Sequence, residues 1–109
     1  MEQLRTFKDY QDDKVKLLNE VWEDHISVDH PEMEISTIES ILKTPHIVCL
    51  SQHANMMNYR QYYSRPWKNK KKRVRYFRIV VKICSDGNWI STAHTRSKIS
   101  CGKVIYKEK

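Results

Sequence analysis

From Arg73 to Cys84 apolar and polar residues alternate with a period of two, and this stretch constrains the fold more than any other. Phe77, Ile79, Val81 and Ile83 fall on one face, and Tyr76, Arg78, Val80 and Lys82 on the other. A strand this long needs partners. Asp86-Gly87 is a strong hairpin signal, and Asn88 to His94 reads as the returning strand. Upstream, Ile47 to Leu50 suits a short buried strand. Met56 to Ser64 suits a second, with Asn58, Arg60 and Tyr62 on one face and Met57, Tyr59 and Tyr63 on the other. Arg65 to Asn69 reads as a turn or loop, and a last strand is expected from about Lys103 to Tyr106.

Before His46 the spacing is helical. Leu18, Val21, Trp22, His25 and Ile26 predict a helix over about 19–29, stopped by Pro31, which disfavours helical geometry at His30. Ser36-Thr37-Ile38-Glu39 fits a capping box for a second helix, closed by Pro45. Phe7 to Tyr10 and Lys14 to Leu17 flank Gln11-Asp12-Asp13 as a short hairpin or extended lead-in. The expectation is an α+β fold: two N-terminal helices packed on one face of a four- to five-stranded antiparallel sheet. With 109 residues and neither repeat nor linker, residues 1–109 are expected to form a single domain.

Charge is segregated along the chain. Residues 1–45 hold 5 basic and 11 acidic residues, a balance of −6; residues 46–109 hold 15 basic and 2 acidic, a balance of +13. Arg65, Lys68, Lys70, Lys71, Lys72, Arg73, Arg75 and Arg78 follow one another without an acid, with Trp67, Tyr76 and Phe77 interleaved. Cations neutralise phosphates and aromatic faces stack on unpaired bases, so a nucleic acid is the expected partner. The Lys70 to Arg73 run taken alone fits a solvated loop equally well. No basic amphipathic helix points to a membrane surface, and no apolar run approaches the roughly 18 residues of a membrane helix. The three cysteines, Cys49, Cys84 and Cys101, are widely spaced and lack a CxxC pair. That pattern argues against a disulfide framework and for a reducing, cytoplasmic location, with the thiols as small hydrophobes.

Several segments, in order, resemble one family. They include Phe7-Lys8-Asp9-Tyr10, Trp22-Glu23-Asp24-His25-Ile26, His30-Pro31-Glu32-Met33 and Thr44-Pro45-His46-Ile47-Val48. Further along come Tyr62-Tyr63, Val80-Val81-Lys82, Ile90-Ser91-Thr92-Ala93-His94 and Gly102-Lys103-Val104-Ile105-Tyr106. Together they are similar to the phage-type branch of the barnase/EndoU/colicin/RelE-like (BECR) nuclease superfamily. The resemblance implies helices packed on an antiparallel sheet and a metal-independent endoribonuclease of phage or mobile elements, often a toxin or effector. Where that pattern carries an aspartate after the second helix's proline, this chain has His46; where it carries an aromatic after Thr92-Ala93, it has His94.

Metal-free RNA cleavage needs a proton acceptor for the 2′-hydroxyl, a proton donor for the departing 5′ oxygen and cations for the phosphate. The candidates for proton transfer are His25 or His30 from the helical side and His94 from the sheet. Arg60 and Lys82 are expected to clamp the phosphate, with Arg78 on the same surface, and Thr92 to donate a hydrogen bond. Tyr62 or Tyr63 is placed to stack on a base, and Lys70, Lys71, Lys72 and Arg73 to hold the RNA backbone. His25 is equally compatible with a semi-buried structural histidine, and His30-Pro31-Glu32 with helix punctuation. His25 and His30 lack the i, i+4 spacing of a helical zinc pair, so neither metal nor cofactor is expected. The alternatives are an RNA-binding module without turnover, and a basic protein that docks on an acidic antitoxin or immunity partner.

Overall fold

The long alternating strand and its return form the centre of the sheet. In a computed structural model that describes residues 3–51 and 58–109, β6 (Val74–Cys84) pairs antiparallel with β7 (Gly87–Arg96). A bulge at Ser91 shifts the register from Val80↔Thr92 to Val81↔Ile90. On its other side β6 pairs with β4 (Tyr59–Tyr63), which pairs with β3 (Ile47–Leu50), which pairs with β8 (Val104–Lys107). A two-residue strand, β5 (Trp67–Lys68), folds back on the start of β6.

The hairpin around Gln11-Asp12-Asp13 forms, and it joins the main sheet. β1 (Gln3–Lys8) pairs antiparallel with β2 (Lys14–Leu18), and β2 lies parallel to the start of β7 through Val15↔Asn88 and Lys16↔Trp89. The path is β1-β2-β7-β6-β4-β3-β8. This corrects the expected architecture: eight strands in a mixed sheet replace four or five antiparallel ones, and strands precede the helices. The cause is non-local. Val15 and Leu17 are fully buried in the shared core, and the β2–β7 pairing beside them joins segments far apart in the chain, which no local pattern encodes.

Two helices follow β2. The first runs over 19–29 as Asn19–Val21, a π-type turn Trp22–Ile26, and Ser27–Asp29. It lies against β7 beyond the point where β2 stops pairing. The second, Ile35–Lys43, buries Ile38, Ile41 and Leu42. The expected capping box does not form: Glu34 is the cap residue, and Glu39 bonds Arg5 at 2.8 Å instead. Phe7, Val15, Leu17, Ile26, Ile38, Leu42, Val48, Tyr62, Ile79, Val81, Ile90 and Ala93 share one core on the inner face of the sheet.

The outer face is partly covered by the segment between β7 and β8. Cys49 and Cys101 are joined by a disulfide, and Cys84 is a free thiol. The bridge overturns the reading of all three cysteines as isolated thiols, and with it the cysteine-based argument for a reducing compartment. Gly102 follows because a Cβ there would lie 2.8 Å from the carbonyl oxygens of Leu50 and Ser51. Among the described residues no helix is long and apolar enough to cross a membrane.

Candidate active site on the outer sheet face

Strand pairing fixes which side chains share a face. Tyr62, Ile79 and Ala93 are opposite one another and point to the core; Tyr63, Arg78 and His94 are opposite one another and point outward. Thr92 and Arg96 flank His94 on the same side, and Lys82 lies further along β6. The outward row of Arg78, Lys82, Thr92 and His94 therefore stands as the alternation predicts.

Around His94 the polar groups form a connected network. Arg78 Nη1 donates to His94 Nε2 at 3.2 Å, and Arg78 Nε donates to Gln61 Oε1 at 3.1 Å. Tyr63 Oη donates to the same Gln61 oxygen at 2.8 Å, while Gln61 Nε2 donates to Ser51 Oγ at 3.2 Å. The Ser100 backbone N–H donates to Tyr63 Oη at 3.3 Å, tying in the segment held by the disulfide. An arginine has only donors, so His94 Nε2 is the acceptor and its proton sits on Nδ1. Burial lowers the His94 pKa to about 4, helped by the nearby charges of Arg78, His30 and Arg96. Burial likewise lowers the Arg78 value from its ordinary level.

The second imidazole comes from the end of the first helix. His30 lies with its ring centroid 5.5 Å from that of His94, and Glu32 Oε1 is 3.9 Å from His30 Nδ1. The helix end holds His30 there: its N–H donates to Ile26 O at 2.9 Å, and Ile26 is anchored in the core. Two histidines from separate elements thus meet beside a half-buried guanidinium.

Other expected members lie elsewhere. Arg60 pairs across from Val81 on the core side, where it reaches Asp9 Oδ2 at 3.5 Å and Tyr62 Oη at 3.2 Å. Tyr62 Oη donates to Asp9 Oδ2 at 2.7 Å, and its pKa is raised, chiefly by burial. Arg60 and Tyr62 therefore serve a buried polar cluster beneath the sheet, away from His94. His25 is exposed within the π-type turn. Tyr63 is on the outer face but fully buried, so it braces the site and has no ring face open for stacking. Lys70, Lys71, Lys72 and Arg73 occupy the exposed β5–β6 turn, shaped by Asn69 Oδ1 accepting the N–H groups of Lys71 and Arg73 at 3.0 Å each. Arg65 is engaged by Glu108 at 2.6 and 3.0 Å, and that bond, with His46 adding to it, holds the Glu108 pKa at about 2.

Sequence reasoning missed Gln61, Ser100 and Arg96. Arg96 was readable, since it continues the period-two row of Thr92 and His94. Gln61 was readable in the same way, since it shares the outward face of β4 with Tyr63; Ser100 was not, because it meets Tyr63 through the segment closed by the Cys49–Cys101 bridge. His53, Met56 and Met57 lie outside the described residues, as does the start of the strand expected from Met56. Among the described residues no group of three or more His, Cys, Asp and Glu side chains is arranged to hold a metal ion. Comparison of the chain with protein-family models, curated proteins and solved structures finds no match, so the functional reading rests on this geometry.

Proposed function

We propose that the protein is a metal-independent endoribonuclease whose site is centred on His30, His94 and Arg78. The observation that carries this is the meeting of two imidazoles, 5.5 Å apart, beside a desolvated guanidinium on a cationic sheet face. The sequence resemblance to BECR nucleases supports the same reading. A bound phosphodiester competes with His94 for Arg78, drawing the guanidinium to a phosphate oxygen and freeing His94 Nε2. The adjacent anion also raises the basicity of His94. His94 then accepts the 2′-hydroxyl proton as the 2′ oxygen attacks phosphorus. The bond from phosphorus to the 5′ oxygen breaks, and protonated His30 gives that oxygen its proton. The products are a 2′,3′-cyclic phosphate and a free 5′-hydroxyl. Arg96 and Thr92 flank the reacting phosphate from β7.

An effector-type ribonuclease acts on cytoplasmic RNA, and the Cys49–Cys101 bridge fits a protein that passes through oxidising surroundings on the way. An acidic immunity protein covering this basic face fits the same reading. A second reading, RNA binding without turnover, is favoured by the low His94 pKa of about 4, which makes the free imidazole a weak base. The test is cleavage of RNA in EDTA by the parent and by His30→Ala, His94→Ala and Arg78→Ala. Catalysis predicts cyclic-phosphate ends, no cleavage of 2′-O-methylated RNA, and loss in all three variants. Salt-sensitive binding with no product refutes catalysis and leaves the second reading.

A further inference from the structure

A second feature of the outer face lies away from His94. Tyr59 pairs with Lys82, Lys82 with Trp89, and Trp89 with Lys16, so four adjacent strands present Tyr, Lys, Trp and Lys side by side. Directly paired residues share a face, and neighbouring strands are about 4.8 Å apart, so the aromatics and the cations each recur at roughly twice that spacing. Lys82 is exposed, and Lys16, Trp89 and Tyr59 are partly exposed. Lys16 Nζ sits 4.8 Å from the centre of the Trp89 ring, and Trp89 Nε1 donates to Asp86 Oδ1 at 3.5 Å. Lys82 lies four positions along β6 from Arg78, roughly 13 Å away on the same face.

We propose that this row is a platform for the unpaired bases of single-stranded RNA leading into the His30–His94 site. The proposal rests on the ribonucleolytic reading of that face and adds where the strand is gripped. Alternating cations and rings match a single strand, whose phosphates need neutralising and whose bases need a stacking surface. A duplex hides its bases, and a sulfated polysaccharide has none. An exposed cation–π contact is weaker than a base stack, so Lys16 gives up the Trp89 ring and moves to a phosphate.

The experiment measures anisotropy of a labelled, short 2′-O-methylated oligouridylate, which binds but cannot be cleaved through a 2′-hydroxyl. Trp89→Ala is expected to weaken binding about tenfold, and Trp89→Phe to restore most of it. Lys82→Ala is expected to reduce the salt slope by about one phosphate contact. Thermal melts establish that each variant is folded. The platform is overturned if Trp89→Ala binds as the parent does, if the parent fails to bind, or if heparin binding falls in parallel with oligonucleotide binding. Cleavage of unmodified RNA, assayed separately, then stands or falls without it.

Discussion

Replacing Arg60 with alanine separates the buried polar cluster from the proposed His30–His94 site. The Asp9 side chain is fully buried, and that of Arg60 is 17% exposed. Asp9 Oδ1 accepts the backbone N–H groups of Gln11 at 2.9 Å and Asp13 at 3.0 Å, which shapes the β1–β2 turn. Its Oδ2 faces Arg60 and Tyr62. Arg60→Ala removes the cation and leaves the buried carboxylate with only its neutral donors, the Gln11 and Asp13 N–H groups and the Tyr62 hydroxyl, and with the Asp13 carboxylate, 3.7 Å from Arg60, no longer offset. Breaking a buried pair this way costs about 3–5 kcal/mol. The 3.5 Å separation argues for the lower end, about 3 kcal/mol. That is a large share of the roughly 5–15 kcal/mol that holds a small domain together. With a urea slope of about 1.5 kcal/mol per molar, the midpoint should fall by roughly 2 M. The double variant Asp9→Asn/Arg60→Met, which removes both charges, should recover much of the loss. Arg78→Ala, by contrast, gives up hydrogen bonds at a half-exposed position and should cost about 1 kcal/mol. An Arg60→Ala midpoint close to the parent's, or one higher than that of Arg78→Ala, would refute the assignment of Arg60 to the core.

Other outcomes follow from the same geometry. His94, with a folded pKa of about 4 against 6.5, refuses a proton that the unfolded chain binds. Its contribution to stability is complete above pH 6.5 and is lost as pH falls toward 4, a loss capped at about 3 kcal/mol before solvent screening. A histidine NMR titration showing His94 at 6 or above would contradict this. Cys49 and Cys101 enclose a separation of 52 residues. Loop-closure entropy then predicts a loss of about 4 kcal/mol for Cys101→Ser, read as a fall in Tm that reductant reproduces in the parent. Three free thiols by mass spectrometry would overturn the pairing.

Legibility in the sequence tracked the range of the interactions. The β6–β7 hairpin, the helix over 19–29 and the outward row of Arg78, Lys82, Thr92 and His94 all follow from residues close in the chain. Parallel pairing of β2 with β7 is set by contacts between distant segments, so the N-terminal segment is legible as a short hairpin or an extended lead-in but not as part of the main sheet. Arg60 illustrates a subtler limit. Its place on β4 was readable from alternation, but Tyr62 on the same face packs in the core beside Ile79 and Val81, and Arg60 is carried inward with it to meet the buried Asp9. The disulfide escaped because Cys49 on β3 and Cys101 just ahead of β8 are 52 residues apart in sequence and are neighbours only through the β3–β8 pairing.

In the proposed mechanism His30 and His94 act together on a ribose-linked phosphate. The decisive measurement is the end-group chemistry of RNA incubated in EDTA with the parent protein and with the His30→Ala and His94→Ala variants. The expected result is 2′,3′-cyclic phosphate and 5′-hydroxyl ends from the parent and none from either variant while both remain folded. Undiminished cleavage by either folded variant, or equal cleavage of 2′-O-methylated RNA, would contradict it.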